Sequence, residues 1–438
     1  MLHIGEKHTV FIESMNIFAN GVCHIDGMAV FVRGAVNGEE CEVIIAEIFP
    51  KYAYAELLNV IKESPFRIKP SCTCFRECGG CAFLNTTFEN ENKVKSDYVK
   101  NILKKNGFDV EVEKTLAPVS LKYRNKVVLF FDGDGYGYKE ASSERIVAHD
   151  KCLINLPVFD EIAAFTAKYL GDNQRALYIR KANGENGKIM VCPIFSSSAG
   201  SRELLCAYAK RLTEKFPSVS TVLYSVNNDK KFALENCTFE KTYGDGYIKD
   251  TLCGLDFIVS PKSFYQVNHD CAEMLYEKVI SLARLKKGEE CADLFCGTGT
   301  IGLILAKRSG AKVTGIEIEP SAVCDAKKNA EINGCKNITF FEGDAAKFNK
   351  KVSLCIVDPP RKGCSPFMLD KLLSLAPKKI IYVSCNPDTL ARDLKKLSEK
   401  YQISAPVSVF NMFPRTTHVE SVVSLTRRFD NELHKRMN

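Results

Sequence analysis

The run Lys379-Ile-Ile-Tyr-Val-Ser-Cys385-Asn-Pro387 is an apolar strand pattern ending in Ser-Cys, with Asn386 as N-cap and Pro387 as first helical residue. Cys385 therefore stands at a sheet edge beside a helix N-terminus. The positive end of a helix dipole favours a thiolate, and the thiolate is the nucleophilic form of cysteine. A free cysteine is ordinarily an inert buried thiol, so neighbouring motifs must decide between the two. Further on, Met412-Phe-Pro-Arg-Thr-Thr-His-Val-Glu-Ser421 reads as a loop entering a strand, with His418 and Glu420 on one face by period-two alternation. Glu420 is a candidate general base, although the segment alone favours an exposed strand Glu paired with a surface Lys.

A ligand for this chemistry has a place upstream. Asp293-Leu-Phe-Cys-Gly-Thr-Gly-Thr-Ile-Gly302 sets Gly297, Gly299 and Gly302 between a strand and a helix, where a ligand can approach the backbone and face the helix N-terminus. Glu317 closes the next strand, where a carboxylate can accept from both hydroxyls of a ribose. NAD and S-adenosylmethionine both carry such a ribose. Val357-Asp358-Pro359-Pro360-Arg361 sets a carboxylate and two rigid prolines at the carboxyl edge of the sheet. A methyltransferase needs that platform to hold a target base near the methyl group, whereas hydride transfer has no evident use for it.

Cys72-x5-Cys78-Gly-Gly-Cys81, with Cys152 further on, has the close-then-distant spacing of thiolate ligands around one centre. Cys74 is an extra thiol, so Cys72, Cys74, Cys78 and Cys81 form a local zinc-site alternative.

These groups need scaffolds to hold them. The 438 residues, 45% hydrophobic, suffice for two or three domains of roughly 100–200 residues. A net charge of +7 permits a polyanionic partner without requiring one. No stretch approaches the roughly 18 apolar residues of a membrane span, and the start lacks a signal peptide's apolar core, so a soluble cytoplasmic protein with no membrane partner is expected. In a reducing cytosol most of the 19 cysteines are small buried hydrophobes. Residues 1–62 read as short Gly-broken strands, a small OB-like β-barrel. Helical spacing follows over Asn92–Asn106, within a basic run from Lys93 to Lys126. Residues 120–260 mix strands with helices at Glu161–Leu170 and Glu203–Lys215, giving a central α+β unit within 63–260. From 261 to 438 strands alternate with helices, the last helix spanning Pro387–Tyr401, as in a Rossmann-like α/β sheet covered on both faces.

Six motifs in order, Ser263-Phe-Tyr-Gln-Val-Asn268, Asp293-Leu-Phe-Cys-Gly-Thr-Gly299, Gly315-Ile-Glu317, Asp358-Pro-Pro-Arg361, Ser384-Cys-Asn-Pro387 and Pro414-Arg-Thr-Thr-His-Val-Glu420, carry a resemblance to RNA (uracil-5)-methyltransferases. It covers nearly the whole chain and points to the iron–sulfur branch that modifies ribosomal RNA. The resemblance implies a class I methyltransferase domain and binding of S-adenosylmethionine by Gln266, Phe295, Thr300, Glu317, Asp344 and Asp358. Thr300 and Asp344 stand where family members often carry Asn. It further implies Cys385 as nucleophile, Glu420 as the base for the C5 proton, and a [4Fe–4S] cluster on Cys72, Cys78, Cys81 and Cys152. The barrel resembles a TRAM domain, and residues 83–107 are free to pack on the catalytic domain. The implied partner is RNA, 23S rRNA first and the T-loop of tRNA as alternative, with no obligate protein partner.

The chemistry explains these residue types. Carbon 5 of uracil is too weak a nucleophile to attack a methyl sulfonium, whereas addition of a thiolate to carbon 6 gives an enolate with electron density at carbon 5. A base must then take the C5 proton before the thiolate leaves. The target uridine must lie in a loop or be flipped out, with Phe264 or Tyr265 to stack on it and Tyr123-Arg-Asn-Lys126 to hold a phosphate or the uracil edge. The rivals are a cytosine-5 methyltransferase, an NAD-dependent oxidoreductase and a non-catalytic RNA-binding iron–sulfur protein.

Overall fold

The computed structural model describes residues 2–184 and 186–428. The first 62 residues form a six-stranded sheet in the order Lys7–Phe11, Glu40–Ile48, Tyr52–Lys62, Met28–Arg33, Asn20–Ile25, Ser14–Met15. Alternate residues Val30, Val32, Cys41, Val43, Ile45, Ala53 and Ala55 are buried together, as period-two strands require. The path ends on Lys7–Phe11 and Ser14–Met15, successive parts of one segment. Between them Ile12 N donates to Glu39 O at 2.9 Å and Glu13 N to Val22 O at 2.9 Å, so the segment leaves one edge and joins the other.

A helix spans Phe88–Lys105 and begins earlier than the apolar spacing indicates. Thr87 caps it, its side chain accepting from Asn90 N, and Glu89 and Glu91 complement the dipole in the first turn. Its buried face carries Asn90, Glu91 and Lys95 beside Val94 and Val99, so hydrophobic periodicity cannot show where it starts.

A seven-stranded, mostly antiparallel sheet follows, with strands Lys126–Phe131, Gln174–Lys181 and Ile189–Phe195 at its centre. Helices Pro157–Leu170 and Arg202–Lys215 cover one face. Tyr178, Met190, Cys192 and Ile194 from the other face share one core with Leu275, Tyr276 and Ile304 of the C-terminal region.

That region holds an eight-stranded sheet. Its main path runs Ile338–Glu342, Lys312–Glu317, Glu290–Leu294, Leu354–Val357, Lys379–Ser384, Glu420–Arg427, Tyr401–Ile403, and Ser408–Phe410 also pairs with Glu420–Arg427. The first five strands are parallel and Glu420–Arg427 is antiparallel, which makes a class I methyltransferase fold. The helix expected over Pro387–Tyr401 stops at Leu397, because Tyr401–Ile403 pairs with Glu420–Arg427 as an edge strand. No helix among the described residues is long and apolar enough to cross a membrane.

The Phe340 ring lies over Gly299 of the ligand loop and Gly315 of strand Lys312–Glu317, so a Cβ at either would overlap it. Gly315→Ala should cost about 1–3 kcal/mol by overpacking and lower the melting temperature. Phe340→Leu in the same chain should recover part of the loss, and differential scanning calorimetry of the three variants checks it.

Candidate active site

The carboxyl ends of the parallel strands gather the motifs. After strand Glu290–Leu294 the chain turns through left-handed residues Phe295 (φ 70°), Gly297 and Gly299. Phe295 N and Cys296 N both donate to Ile316 O at 3.0 Å, tying the turn to the neighbouring strand. The Glu317 carboxylate is held by three backbone N–H groups: Gly297 at 3.0 Å on Oε2, and Ile318 and Glu319 at 2.8 and 3.0 Å on Oε1. Such bonds fix its direction before any ligand arrives. Asp293 is buried beneath the turn, where Oδ2 accepts from Gly302 N at 2.8 Å. Thr300 opens the helix Thr300–Ser309. Asp344 is exposed and caps its own turn, accepting from Ala346 N at 2.9 Å. Gln266 is buried, and its carbonyl accepts from Asn125 Nδ2 at 3.3 Å.

Cys385 follows strand Lys379–Ser384 and precedes helix Pro387–Leu397, where the Asn386 side chain accepts from Asp388 N at 3.1 Å. The placement agrees with the sequence, but the protonation state does not. Burial pushes the thiol up to about 12, the charges of Glu420 and Asp358 add to this, and Arg361 opposes them. Desolvation and two carboxylates outweigh one helix end. Glu420 opens strand Glu420–Arg427 at 6% exposure, and burial with Asp358 nearby raises its carboxyl well above the usual range against the pull of Arg361. Burial lifts Asp358 to about 7. Arg361 Nη2 meets His418 Nε2 at 3.1 Å, and burial followed by the Arg361 charge holds His418 down to about 4, so the imidazole is neutral. The structure thus brings Cys385, Asp358, Arg361, His418 and Glu420 into one electrostatic cluster.

Two loops of this cluster are stitched to helices. Arg361 O accepts from Asn386 Nδ2 at 3.1 Å and Thr389 Oγ1 at 3.2 Å, while buried Asp393 accepts from Cys364 N at 2.7 Å and Tyr382 Oη at 2.6 Å. On the other side Met412 O accepts from Asn268 Nδ2 at 3.2 Å, Phe413 O from Lys95 Nζ at 3.3 Å, and Pro414 O from Tyr123 Oη at 2.9 Å. Arg415 O accepts from Ala82 N at 2.7 Å and Phe83 N at 3.1 Å. Sequence reasoning missed these holding groups, because each signal is a single polar side chain or a backbone N–H far away in the chain.

Other expectations divide. Tyr265 is 4% exposed and packs under Arg180, whose guanidinium carbon lies 5.1 Å from the ring centroid, so it is core. Phe264 is 66% exposed. Tyr123 serves the Pro414 carbonyl rather than a ligand. Burial, then the charges of Arg180 and Arg124, lowers the Lys126 ammonium to about 8. Arg124 lines a cavity of about 770 Å³ with Arg33, Arg76, Lys139, Arg361 and His418. Cys72, Cys74, Cys78, Cys81 and Cys152 line a second, small cavity with His149. Burial raises the Cys81 thiol to about 12, and the Cys152, Cys78 and Cys72 charges add to it. As placed, no group of three or more His, Cys, Asp or Glu among the described residues is close enough to hold a single metal ion.

Residues 344–428 match the family model described as tRNA (Uracil-5-)-methyltransferase, and 255–378 the methyltransferase small domain. An uncharacterized RNA methyltransferase of Oceanobacillus iheyensis is 33% identical over 98% of this chain and 98% of its own. One of Caldanaerobacter subterraneus is 35% identical over 97% and 99%. The crystal structure of Pyrococcus abyssi tRNA (uracil-54, C5)-methyltransferase, in complex with S-adenosyl-L-homocysteine, is 27% identical with a TM-score of 0.77, covering 96% of this chain and 100% of that one.

Asp293 keeps its proton in the fold up to about pH 7, against an ordinary value of 3.8, chiefly through burial. The folded state therefore binds more protons than the unfolded one between about pH 4 and pH 7, and this component of stability falls as pH rises through that window. Asp293→Asn, which can still accept from Gly302 N, should flatten the melting-temperature profile over the same range in calorimetric scans.

Proposed function

The chain belongs to the RNA uracil-5-methyltransferase family, and from that membership we propose that it makes 5-methyluridine through a covalent adduct between Cys385 and carbon 6 of a uracil. The observation that carries this reading is that Ser384 pairs with Ser421 across antiparallel strands, which sets Cys385 at the end of one strand opposite buried Glu420 at the start of the other. S-adenosylmethionine, when bound, supplies the methyl group as an electrophile and a positive charge. We assign its holding to Gln266, Phe295, Thr300, Glu317, Asp344 and Asp358, with the Glu317 carboxylate directed at the ribose. A positive charge held beside Asp358, Glu420 and Cys385 would favour their anionic forms, and the thiolate is the form in which Cys385 attacks.

As a thiolate, Cys385 Sγ bonds to carbon 6 and the electron pair of the C5–C6 double bond shifts towards O4; the resulting enolate returns its pair through carbon 5 to the methyl group, whose bond to the sulfonium breaks, leaving the thioether S-adenosylhomocysteine. Glu420 then removes the C5 proton, the double bond re-forms and the Cys385 thiolate leaves. Phe264 is the stacking residue for the displaced base, and the cationic cavity beside Arg361 takes the adjoining RNA strand.

By resemblance the substrate is 23S rRNA in the cytoplasm. The Pyrococcus abyssi protein, similar over the whole chain and named for uracil 54 of tRNA, favours the tRNA reading. Residues 1–62 are assigned as an OB-like TRAM domain, supported by the segment that joins both ends of the strand path. Residues 63–260 are the central domain and 261–438 the methyltransferase domain. The four thiols Cys72, Cys78, Cys81 and Cys152 are proposed to hold a [4Fe–4S] cluster. All four line one small cavity, together with Cys74 and His149.

Nucleoside chromatography of RNA from a deletion strain should show loss of 5-methyluridine from 23S rRNA, and loss from tRNA instead would select the second reading. Loss of 5-methylcytidine would refute the uracil assignment. Cys385→Ala should abolish adduct and product. Glu420→Gln should lower turnover by about 10²–10⁴-fold and leave protein covalently bound to methylated RNA. Anaerobically purified protein should contain iron and acid-labile sulfide, lost in Cys152→Ser and kept in Cys74→Ser, and zinc in their place would overturn the cluster.

A further inference from the structure

Helix Phe88–Lys105 buries a charged pair at its inner face: Glu91 and Lys95 are each 0% exposed, with Lys95 Nζ donating to Glu91 Oε1 at 2.9 Å. A buried ion pair is poor value for stability, since apolar residues of similar volume commonly do as well or better. What this pair does instead is bond to the loop ahead of Glu420. Glu91 Oε1 also accepts from Asn411 Nδ2 at 2.8 Å and from Arg415 N at 2.8 Å, and Lys95 Nζ also donates to Asn411 Oδ1 at 2.6 Å and to Phe413 O at 3.3 Å. Arg415 Nη1 lies 3.5 Å from Glu91 Oε2 and donates to Thr86 O at 3.0 Å.

Arg415 is left-handed, at φ 69°, a conformation disfavoured for a side chain of this size. The bond from its N–H to Glu91 helps to maintain that turn. Downstream, Thr416 Oγ1 donates to Phe413 O at 2.8 Å and accepts from His418 N at 3.3 Å, and Glu420 begins its strand two residues later. A chain of single bonds thus runs from Glu91 through the left-handed turn to the strand that starts with the proposed base.

We infer that Glu91, with Lys95 and Asn411, is a positioning residue for the proton-removal step: it fixes the 411–415 turn and so aims Glu420 at carbon 5. This rests on the reaction proposed above. Cys385 is anchored separately, by strand Lys379–Ser384 and the Asn386 cap, so loosening the turn slows proton removal while leaving thiol addition and methyl transfer intact.

The test separates those steps. RNA carrying 5-fluorouridine is methylated and stops as an adduct because fluorine cannot leave as a proton does, so its rate of capture reports addition and methyl transfer. Uridine and [5-²H]uridine transcripts report proton removal. Glu91→Gln should capture the fluorinated RNA at close to the wild-type rate, turn over uridine RNA about 10–100-fold more slowly, show a new deuterium isotope effect on kcat and accumulate methylated covalent complex. Asn411→Ala, which alters neither buried charge, should give the same split, and serves alone if Glu91→Gln does not fold. A fall in capture and turnover by the same factor without an isotope effect, or unchanged turnover in both variants, overturns the inference. Wild-type protein that captures no fluorinated RNA removes the reaction itself and the positioning role with it.

Discussion

Buried carbonyls must be paired, and the carbonyls of residues 412–415 govern this architecture. The loop lies between strands Ser408–Phe410 and Glu420–Arg427, beyond the last pair of their ladder, so sheet pairing does not serve its carbonyls. Its oxygens are met instead by Asn268 from the cap of one helix, Lys95 from the face of another, Tyr123 ahead of the central sheet, and the peptide following Cys81. Each unmade bond of this kind costs about 1–3 kcal/mol when no water can replace it. One short loop therefore obliges segments from most of the chain to meet.

The electrostatics of the site follow from the same desolvation. Cys385, Asp358 and Glu420 all prefer their neutral forms when buried together, and Arg361 offers only partial relief. Burial first, and the two carboxylates after it, hold the Cys385 thiol back from ionising. A positive charge beside Asp358 and Glu420 would offset the same carboxylate charges that, after burial, raise the thiol.

What could be read in the sequence is what is local. Gly297, Gly299 and Glu317 announce a strand–turn–helix because glycine and carboxylate positions follow directly from backbone geometry. Asp358, Cys385 and Glu420 could be placed at strand ends by apolar runs and turn residues. A mostly parallel sheet covered by helices was legible from alternating strands and helices, though its strand order was not, and the Pro387 helix was drawn too long because Tyr401–Ile403 owes its extended form to a partner strand. The thiol's state was not legible because it depends on burial and on carboxylates from other strands, nor were the role of Tyr123 and the pair Glu91–Lys95, which depend on groups hundreds of residues away. A buried charge on a helix reads in sequence as a solvated face.

The Lys95 link has a consequence for biosynthesis. A ribosome releases Glu91 and Lys95 long before Asn411, Phe413 and Arg415 exist, so the nascent helix must carry its ion pair in water until the final tenth of the chain emerges to cover it. The turn ahead of Glu420 can take its buried bonds only once residues 411–415 have been made. A product truncated before residue 411 would lack both this turn and the strand Glu420–Arg427 that joins three others, leaving the helix's buried pair uncovered.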